Sequence, residues 1–305
     1  MATFWKKKQF WGSIIAIVLL AYCVKDISIN QIKIMYQSVN FYYLIPSLVF
    51  SFGMIIFRAV RWRVIIEKTK KVGLYRIISL YSAGQVVNIS MPALTGQVGR
   101  LLLFAKKENL KKTYVFSTIV LEVLFDAVTM FLFIIFLSTA SFAFPPEYRS
   151  VSIILAIGTG ILIILLYLIL QFEQQIGIIG KKVLRGRWPG VYITLKKFSR
   201  SFTKGISLLR STQYFFRTFL FSLASWVAHA LLIYFLFRSF GFDLPIIAAI
   251  VVMVLNTLAL MIPITPGNAG TFELVVVGAL LAYGVPKSDA VLFALALHIL
   301  DFIPI

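Results

Sequence analysis

Apolar runs that are long enough, or nearly long enough, to cross a bilayer recur along the chain. They fall at about 10–25, 41–60, 113–142, 149–171, 216–238, 246–262, 271–285 and 288–305. The hydrocarbon core of a bilayer is about 30 Å thick and takes roughly 20 apolar residues to cross as a helix. The pattern therefore predicts an all-α polytopic membrane protein, with 1–305 forming a single integral membrane domain.

Two apolar stretches are interrupted by the same spacing of proline and glycine, P-x-x-x-G-x-x-G. Proline removes a backbone donor, and irregular backbone inside a bilayer is tolerated only where protein or water surrounds it. Each motif therefore predicts a broken or re-entrant helix hairpin. The first motif contains Pro92, Gly96 and Gly99, and the second contains Pro263, Pro266, Gly267 and Gly270 within the run PITPGNAGTFE.

The distribution of basic residues predicts the topology. If the N-terminus is cytoplasmic and 74–105 dips into the membrane and returns, most of the 30 Lys and Arg residues fall on cytoplasmic segments, as the positive-inside rule requires. The same orientation makes repeat 1, about 41–142, and repeat 2, about 216–305, inverted-topology repeats. Two alternatives stay open, namely that the motifs match by chance and that 246–285 makes two short spans.

Composition decides the class of partner. With 60% hydrophobic and 13% charged residues the chain is unlike a soluble domain. The net charge is +19, and the basic residues that produce it lie between the apolar spans. We therefore expect membrane lipids and no nucleic acid as partners. The basic linker 172–215 is predicted to lie on the anionic inner leaflet, either as an anchor or to recruit headgroups. The single Cys23 excludes an intrachain disulfide and a cysteine metal site, and we predict no metal and no cofactor.

Ionisable residues lie at membrane depth in both predicted repeats. Such groups cost several kcal/mol unless they are paired or hydrated, so they must face the interior. We expect Arg100 to be neutralised by one or more of the acids, leaving an acidic excess around a polar cavity. The alternative is an ion-pair network that only fixes helix packing. The candidates for substrate binding and translocation are Arg100, Glu122, Asp126, Glu273, His298 and Asp301.

Three further polar residues in apolar spans are weaker candidates. Asn88 could bind a headgroup, as could Asn256, but capping of a broken helix is the competing explanation for both. His229 lies near Trp226, and we expect a core histidine whose hydrogen bonds are satisfied.

These motifs resemble the flippase-like family built on the transmembrane region of lysylphosphatidylglycerol synthases, which also includes archaeal membrane proteins linked to dolichol-dependent glycosylation. The resemblance covers nearly the whole chain. Four signatures carry it: Pro92, Gly96-Gln97 and Arg100; then Glu122 and Asp126; then Pro266, Gly267, Gly270 and Glu273; then His298 and Asp301. The chain departs from the family where Gln97 replaces a glutamate and His298 an arginine, as if both members of one ion pair were neutralised together.

The resemblance implies movement of a lipid between leaflets. We expect a flippase of the inner (cytoplasmic) membrane that moves a phospholipid, or an aminoacylated or glycosylated lipid, and that is not an enzyme. Arg100 would bind a phosphate. The acids Glu122, Asp126, Glu273 and Asp301 would neutralise Arg100, bind a cationic headgroup or relay protons. The sequence contains no phosphate-binding P-loop, so an ion gradient or the lipid gradient would supply the energy.

Two other functions stay open. One is a membrane-embedded glycosyl or polyprenyl-lipid transferase, and the other is a non-transporting accessory subunit that partners a lipid-synthesis enzyme. The lipid and the oligomeric state are both open. The chain ends at Ile305, soon after Asp301 and without clear flanking charges, so we expect a C-terminal portion to be missing.

Overall fold

The computed structural model describes residues 2–25, 27–90, 95–139, 211–260 and 265–305, together with isolated positions between 153 and 196. These residues form helices, as predicted. In chain order the helices are α1 (Ala2–Val24), α2 (Ile29–Ser38), α3 (Phe41–Glu67), α4 (Leu74–Ser90), α5 (Thr95–Lys107), α6 (Lys112–Thr139), α7 (Thr212–Ser239), α8 (Ile246–Leu260), the 3-10 turn Pro266–Asn268, α9 (Thr271–Leu281) and α10 (Lys287–Phe302).

Three helices in the described ranges are long and apolar enough to cross a membrane, namely Phe41–Glu67, Lys112–Leu137 and Thr212–Ser239. A fourth crossing is added if α1 and α2, which are bent by 77° relative to one another, form one broken span. The sequence analysis placed no helix at α2. Its start is fixed by a capping box, in which Ser28 and Gln31 each accept the other's backbone N–H.

Helices α3 and α7 pack against each other in antiparallel directions. At one end the backbone N–H of Asn40 donates to the carbonyl of Ser239 at 2.7 Å, and at the other end Arg217 lies 3.3 Å from Glu67. Between these ends the buried Ser47 hydroxyl donates to the carbonyl of Leu232 at 2.8 Å. This pair brings the first helices of the two predicted repeats together in the centre of the bundle.

Helices α4 and α5 form an antiparallel hairpin whose two open ends lie together. The Arg76 guanidinium, near the start of α4, donates to the carbonyl of Lys107, at the end of α5, at 3.0 Å. Closer to the turn, a Cβ atom added to Gly84 would lie only 2.7 Å from the Cβ of Arg100. Glycine therefore lets the two backbones approach. The 13 residues of α5 span only about 20 Å, too short to cross the bilayer.

The described part of the second motif, residues 265–270, forms a tight turn that leads into α9. Gly267 and Gly270 have φ angles of 59° and 83°, which glycine adopts without strain. A Cβ atom on Gly270 would lie 2.6 Å from the Cβ of Leu19, so α1 crosses directly over the motif. The 3-10 turn Pro266–Asn268 also packs against α4 of the first hairpin.

One helix boundary differs from the sequence analysis in a way that matters for the site. The second apolar run was predicted to end at residue 60, which placed Arg58 and Arg61 on the cytoplasmic side. Helix α3 continues to Glu67, and Arg61 is completely buried within it. The predicted interfacial helix in 172–215 and the apolar run 149–171 lie mostly outside the described residues. Pro92 and Pro263 lie outside them as well.

Candidate functional site

A completely buried arginine, Arg61 of α3, lies at the centre of the polar interior. Its Nη2 atom lies 3.0 Å from Oε1 of Glu122 and 2.9 Å from Oδ2 of Asp126, both on α6. Its Nη1 atom donates to Asp126 and, at 2.9 Å, to the hydroxyl of Ser222 on α7. Because Glu122 and Asp126 are one helical turn apart, both carboxylates reach the same guanidinium, as their spacing predicted.

Glu122 joins Arg61 to the second buried arginine. Its Oε2 atom lies 2.5 Å from Nη2 of Arg100 on α5, and the same Nη2 atom donates to Gln97 at 2.8 Å. The Arg100 guanidinium also lies 4.6 Å from the ring centre of Trp62 and 4.9 Å from that of Tyr81, which are cation–π distances. The prediction that one of the acids neutralises Arg100 is confirmed for Glu122.

A third arginine gives this cluster an excess of positive charge. The guanidinium of Arg58 lies 5.0 Å from the ring centre of Trp226, whose indole N–H donates to Asp126 at 2.9 Å. Among the described residues, Arg58 has no carboxylate within ion-pair distance. Tyr81 lies within electrostatic range of all three arginines. We call Arg58, Arg61, Arg100, Glu122 and Asp126 the arginine cluster.

The charge balance corrects one expectation. An acidic excess was predicted around the cavity, but the arginine cluster contains three guanidinium groups and two carboxylates. The expectation was wrong for two reasons. Arg58 and Arg61 had been assigned to a cytoplasmic segment, and the acids Glu273 and Asp301 pair with histidines outside this cluster. Several buried guanidinium N–H groups, on Nε of all three arginines and on Nη1 of Arg100, have no hydrogen-bond acceptor among the described residues.

The acids of the second repeat lie in separate contacts. Nε2 of the buried His229 on α7 lies 3.4 Å from Oδ1 of Asp301 on α10, and neither ring nitrogen has a hydrogen-bond partner in the part of the chain that the structure describes. His229 is therefore not the satisfied core histidine that was predicted. Its ring stacks on Trp226 at 6.1 Å between centres, which connects Asp301 to the arginine cluster through one indole.

The second motif is fastened by Glu273 and His298. Nδ1 of His298 lies 2.6 Å from Oε1 of Glu273, and Nε2 lies 3.0 Å from the carbonyl oxygen of Gly267. The other carboxylate oxygen of Glu273 accepts the backbone N–H of Gly270 at 2.7 Å. Rings of Phe272 and Phe302 cover the imidazole at 4.2 and 4.5 Å between centres. We call Glu273, His298 and Gly267 the motif clasp.

The motif clasp also corrects the interpretation of the two family departures. Gln97 and His298 were predicted to be the two neutralised members of one ion pair. In the structure Gln97 binds Arg100 in the arginine cluster, whereas His298 binds Glu273 in the motif clasp. The two substitutions therefore belong to different contacts.

Two asparagines complete the predicted set. The side chain of Asn88 lies outside the described part of the structure. Asn256 is buried, and its carbonyl oxygen has no hydrogen-bond partner, so it does not cap a broken helix through that oxygen. No group of three or more His, Cys, Asp or Glu residues that could hold a metal ion is found among the described side chains.

Sequence reasoning missed Arg58, Arg61 and Ser222 as members of the site and did not connect Trp226 with Asp126. Two signals were available. Arg58 and Arg61 are three residues apart and are followed by the apolar run from Val64 to Ile66, which is the pattern of one helical face inside a longer span. Ser222, Trp226 and His229 are spaced by four and three residues, which places them on one face of α7.

Exposed cations gather where α3 and α5 end and α6 and α7 begin; we call this the basic end. Lys70 and Arg76 both contact the buried carboxylate of Glu108, at 3.0 and 2.5 Å. Glu67 is also paired, with Arg217. Further lysines there are exposed, namely Lys68, Lys71, Lys106, Lys107, Lys111 and Lys112. Glu122 lies ten residues into α6, so the arginine cluster is about 15 Å below this end.

The fold and the buried charges define a multi-pass integral membrane protein of α-helices with a polar centre. The chain belongs to the lysylphosphatidylglycerol synthase TM region family, whose pattern matches residues 9–305. This match confirms the resemblance drawn from the four motifs.

The chain is similar to archaeal UPF0104 membrane proteins. The protein of Pyrococcus horikoshii is 24% identical over 297 residues, which cover 90% of this chain and 86% of the relative. The protein of Methanocaldococcus jannaschii is 28% identical over 193 residues, covering 61% and 75% of the two chains, and that of Methanothermobacter thermautotrophicus is 32% identical over 84 residues, covering 28% and 25%. No solved structure matches the chain.

Proposed function

We propose that the protein is a lipid flippase that moves a phosphate-bearing lipid headgroup between the leaflets of the cytoplasmic membrane. The observation that carries this proposal is the excess positive charge of the arginine cluster. An unpaired charge at membrane depth costs several kcal/mol, so a group of three guanidiniums and two carboxylates is incomplete without an anion. A lipid phosphate is an anion that reaches this depth together with its own apolar chains.

Arg58 is the residue best placed to bind the phosphate first. Arg61 and Arg100 are already engaged with Glu122, whereas Arg58 lies over the face of Trp226 and has no carboxylate within ion-pair distance in the described ranges. The side chain of Asp126 beside it is 30% exposed, which indicates that this side of the cluster opens to the surroundings. Guanidinium groups bind phosphate oxygens through paired N–H donors, and the unused N–H groups of Arg58 and Arg100 supply them.

The route that the headgroup would take follows from the two broken helices. The α4–α5 hairpin has both open ends at the basic end, and the positive-inside rule assigns that end to the cytoplasm. The N-terminus would then be cytoplasmic as well. The hairpin would enter from the cytoplasm, and α8 with α9 from the other side, in inverted repeats. The arginine cluster would bind the headgroup between them.

Leaflet exchange in proteoliposomes tests the function. Fluorescent lipids with and without a phosphate would be compared in wild-type protein, in Arg58→Gln, and in Arg238→Gln as the matched control. Arg238 is also on a long helix, but it lies at the opposite end and pairs with the exposed Asp243 at 2.8 Å. We expect exchange of the phosphate lipid to fall at least about tenfold in Arg58→Gln, the factor for about 1.4 kcal/mol of lost binding, and to persist in the control.

Two results would contradict the proposal. Equal exchange of phosphate-bearing and phosphate-free lipids, unchanged by Arg58→Gln, would show that the arginine cluster does not bind the headgroup. No exchange of any lipid by folded wild-type protein would instead favour the transferase or the accessory-subunit function. Thermal unfolding of each variant in detergent separates loss of exchange from loss of the fold.

A further inference from the structure

The contacts of the motif clasp are all hydrogen bonds only if it holds one proton more than a neutral histidine and an ionised glutamate supply. The carbonyl oxygen of Gly267 can only accept a hydrogen bond, so the contact to Nε2 of His298, 3.0 Å away, is a hydrogen bond when Nε2 carries a proton. Nδ1 faces a carboxylate oxygen at 2.6 Å. A hydrogen bond there needs a second proton, which is carried either by Nδ1 or by Glu273.

We propose that Glu273 and His298 together form a proton-binding site, and that the bound proton holds the loop Pro266–Asn268 in the arrangement seen in this structure. The ligand is a single proton, held as carboxylate with imidazolium or as carboxylic acid with neutral imidazole. The two forms are equivalent for the contacts, because in both of them every atom of the motif clasp has a complementary partner. The site exists whether or not the protein moves lipids.

Loss of this proton would break the motif clasp. Without it, the lone pair of Nδ1 would face a carboxylate oxygen at 2.6 Å in a buried site, where repulsion is only weakly screened. If the imidazole turned so that a single N–H served Glu273, the Gly267 carbonyl would lose its donor. Either way the link between α10 and the second motif opens, whereas the Glu273 contact to the Gly270 N–H remains.

The loop that would be released lies in the second predicted repeat and touches the first one. The turn Pro266–Asn268 packs against α1 and α4. Helix α4 carries Tyr81 and Gly84, which lie against Arg100 in the arginine cluster. A shift of the loop would therefore displace α4, which contacts the arginine cluster. Proton binding at the motif clasp would then alter the arginine cluster without touching it directly.

Few other ionisable groups of the described residues surround the motif clasp. Cys23 of α1 lies within electrostatic range of Glu273 and Lys287. On α10, Asp301 is one turn beyond His298 and faces His229 of α7. Helix α2 carries the exposed Lys33, and α4 carries Tyr81 near the arginines. None of these groups forms a hydrogen bond or an ion pair with Glu273 or His298, so the bound proton belongs to this pair.

Nitrogen NMR of the imidazoles tests the proton directly. The chain has two histidines, so protein labelled with ¹⁵N-histidine in lipid bilayers gives two imidazoles, and His229→Gln leaves that of His298 alone. Carboxyl labelling of glutamate, with Glu273→Gln to assign the signal, locates the proton in the second form. We expect a doubly protonated imidazole, or a neutral imidazole beside a protonated Glu273, with the proton released in one step as the pH is raised.

One NMR result would overturn the proposal. A singly protonated His298 beside an ionised Glu273 at every pH from about 5 to about 8, the range in which histidine ordinarily titrates, would mean that the pair holds no extra proton. The comparison uses wild-type protein as well as His229→Gln, so a folding defect in the variant does not prevent the assignment.

Thiol labelling tests the consequence for the loop. Ala269→Cys, in a Cys23→Ser background, places a single thiol beside the turn, and Gln213→Cys on the exposed start of α7 corrects for thiol ionisation. We expect corrected labelling at Ala269→Cys to rise at least about tenfold when the proton is released, the factor for one hydrogen bond of about 1.4 kcal/mol. The same change with pH at both positions would refute the link between proton and loop.

The variant Glu273→Gln provides the matched control in this assay. A glutamine amide can donate to Nδ1 of a neutral His298 and accept from the Gly270 N–H, so it reproduces the contacts of a protonated glutamate without a titrating carboxyl group. Labelling beside the turn should then stay slow at every pH. Rapid labelling that still depends on pH in Glu273→Gln would show that some other group controls the loop.

Discussion

Removal of the charge on Glu122 should be the most damaging single change in the arginine cluster. Its side chain is only 6% exposed, and its two oxygens lie 3.0 Å from Arg61 and 2.5 Å from Arg100. Glu122→Gln keeps the shape but leaves three guanidiniums facing one carboxylate. Removing one partner of a buried ion pair costs about 3–5 kcal/mol, and we expect a loss of unfolding free energy in that range.

Asp126→Asn is the matched control, because Asp126 binds the same arginine from one helical turn away. Asp126 pairs with one arginine among the described residues, whereas Glu122 pairs with two, so loss of the Asp126 charge leaves fewer cations without a partner. We expect about 1.5–3 kcal/mol, the value for a hydrogen bond to a charged group. The assay is equilibrium unfolding in mixed micelles, followed by tryptophan fluorescence.

A double variant makes this prediction sharper. In Arg100→Gln with Glu122→Gln, one cation and its carboxylate are removed together, so the double variant should be more stable than the sum of the two single losses implies. The reasoning is refuted if Glu122→Gln costs less than Asp126→Asn, or if the two single effects simply add. Either result would mean that Glu122 does not neutralise both arginines.

The remaining predictions concern close backbone approaches. Gly84→Ala should lower the unfolding free energy by about 1–3 kcal/mol, because its Cβ would lie 2.7 Å from that of Arg100. Gly73→Ala is the control in the same unfolding assay. A Cβ at Gly73 would have no atom within 4 Å, so this variant should have little effect. Gly270→Ala and Gly241→Ala both place a side chain at positive φ, at 83° and 71°, which costs about 1–2 kcal/mol. Only Gly270→Ala should also displace α1, measured as faster proteolysis of the N-terminus, and equal proteolysis in the two variants would contradict the close approach of α1.

The helical class and several site residues were accessible from the sequence because they depend on local rules. Span-length apolar runs predicted α3, α6 and α7, although the end of α3 was wrong by seven residues. The spacing of Glu122 and Asp126 predicted a shared face, which the structure confirms through their common partner, Arg61. The inverted repeats and the re-entrant hairpins stay predictions, since they concern the position of the helices relative to a bilayer.

The pairing of charges could not be predicted in the same way. Arg61 and Glu122 are 61 residues apart, and Ser222 is a further 100 residues along the chain, so no local pattern links them. An arginine near the end of an apolar run is usually read as a loop cation. Its burial here depends on carboxylates that another helix supplies.

The sequence by itself determined that this chain is a multi-pass helical membrane protein with a set of charges that must face inward, because hydrophobic length and the cost of burying charge act on each segment separately. Only the tertiary structure decided which charges meet. The packing of α3 and α5 against α6 places three arginines against two carboxylates, and the packing of α9 and α10 sets His298 between Glu273 and Gly267. Partner choice at these distances follows from how the helices pack, and that is a property of the whole chain.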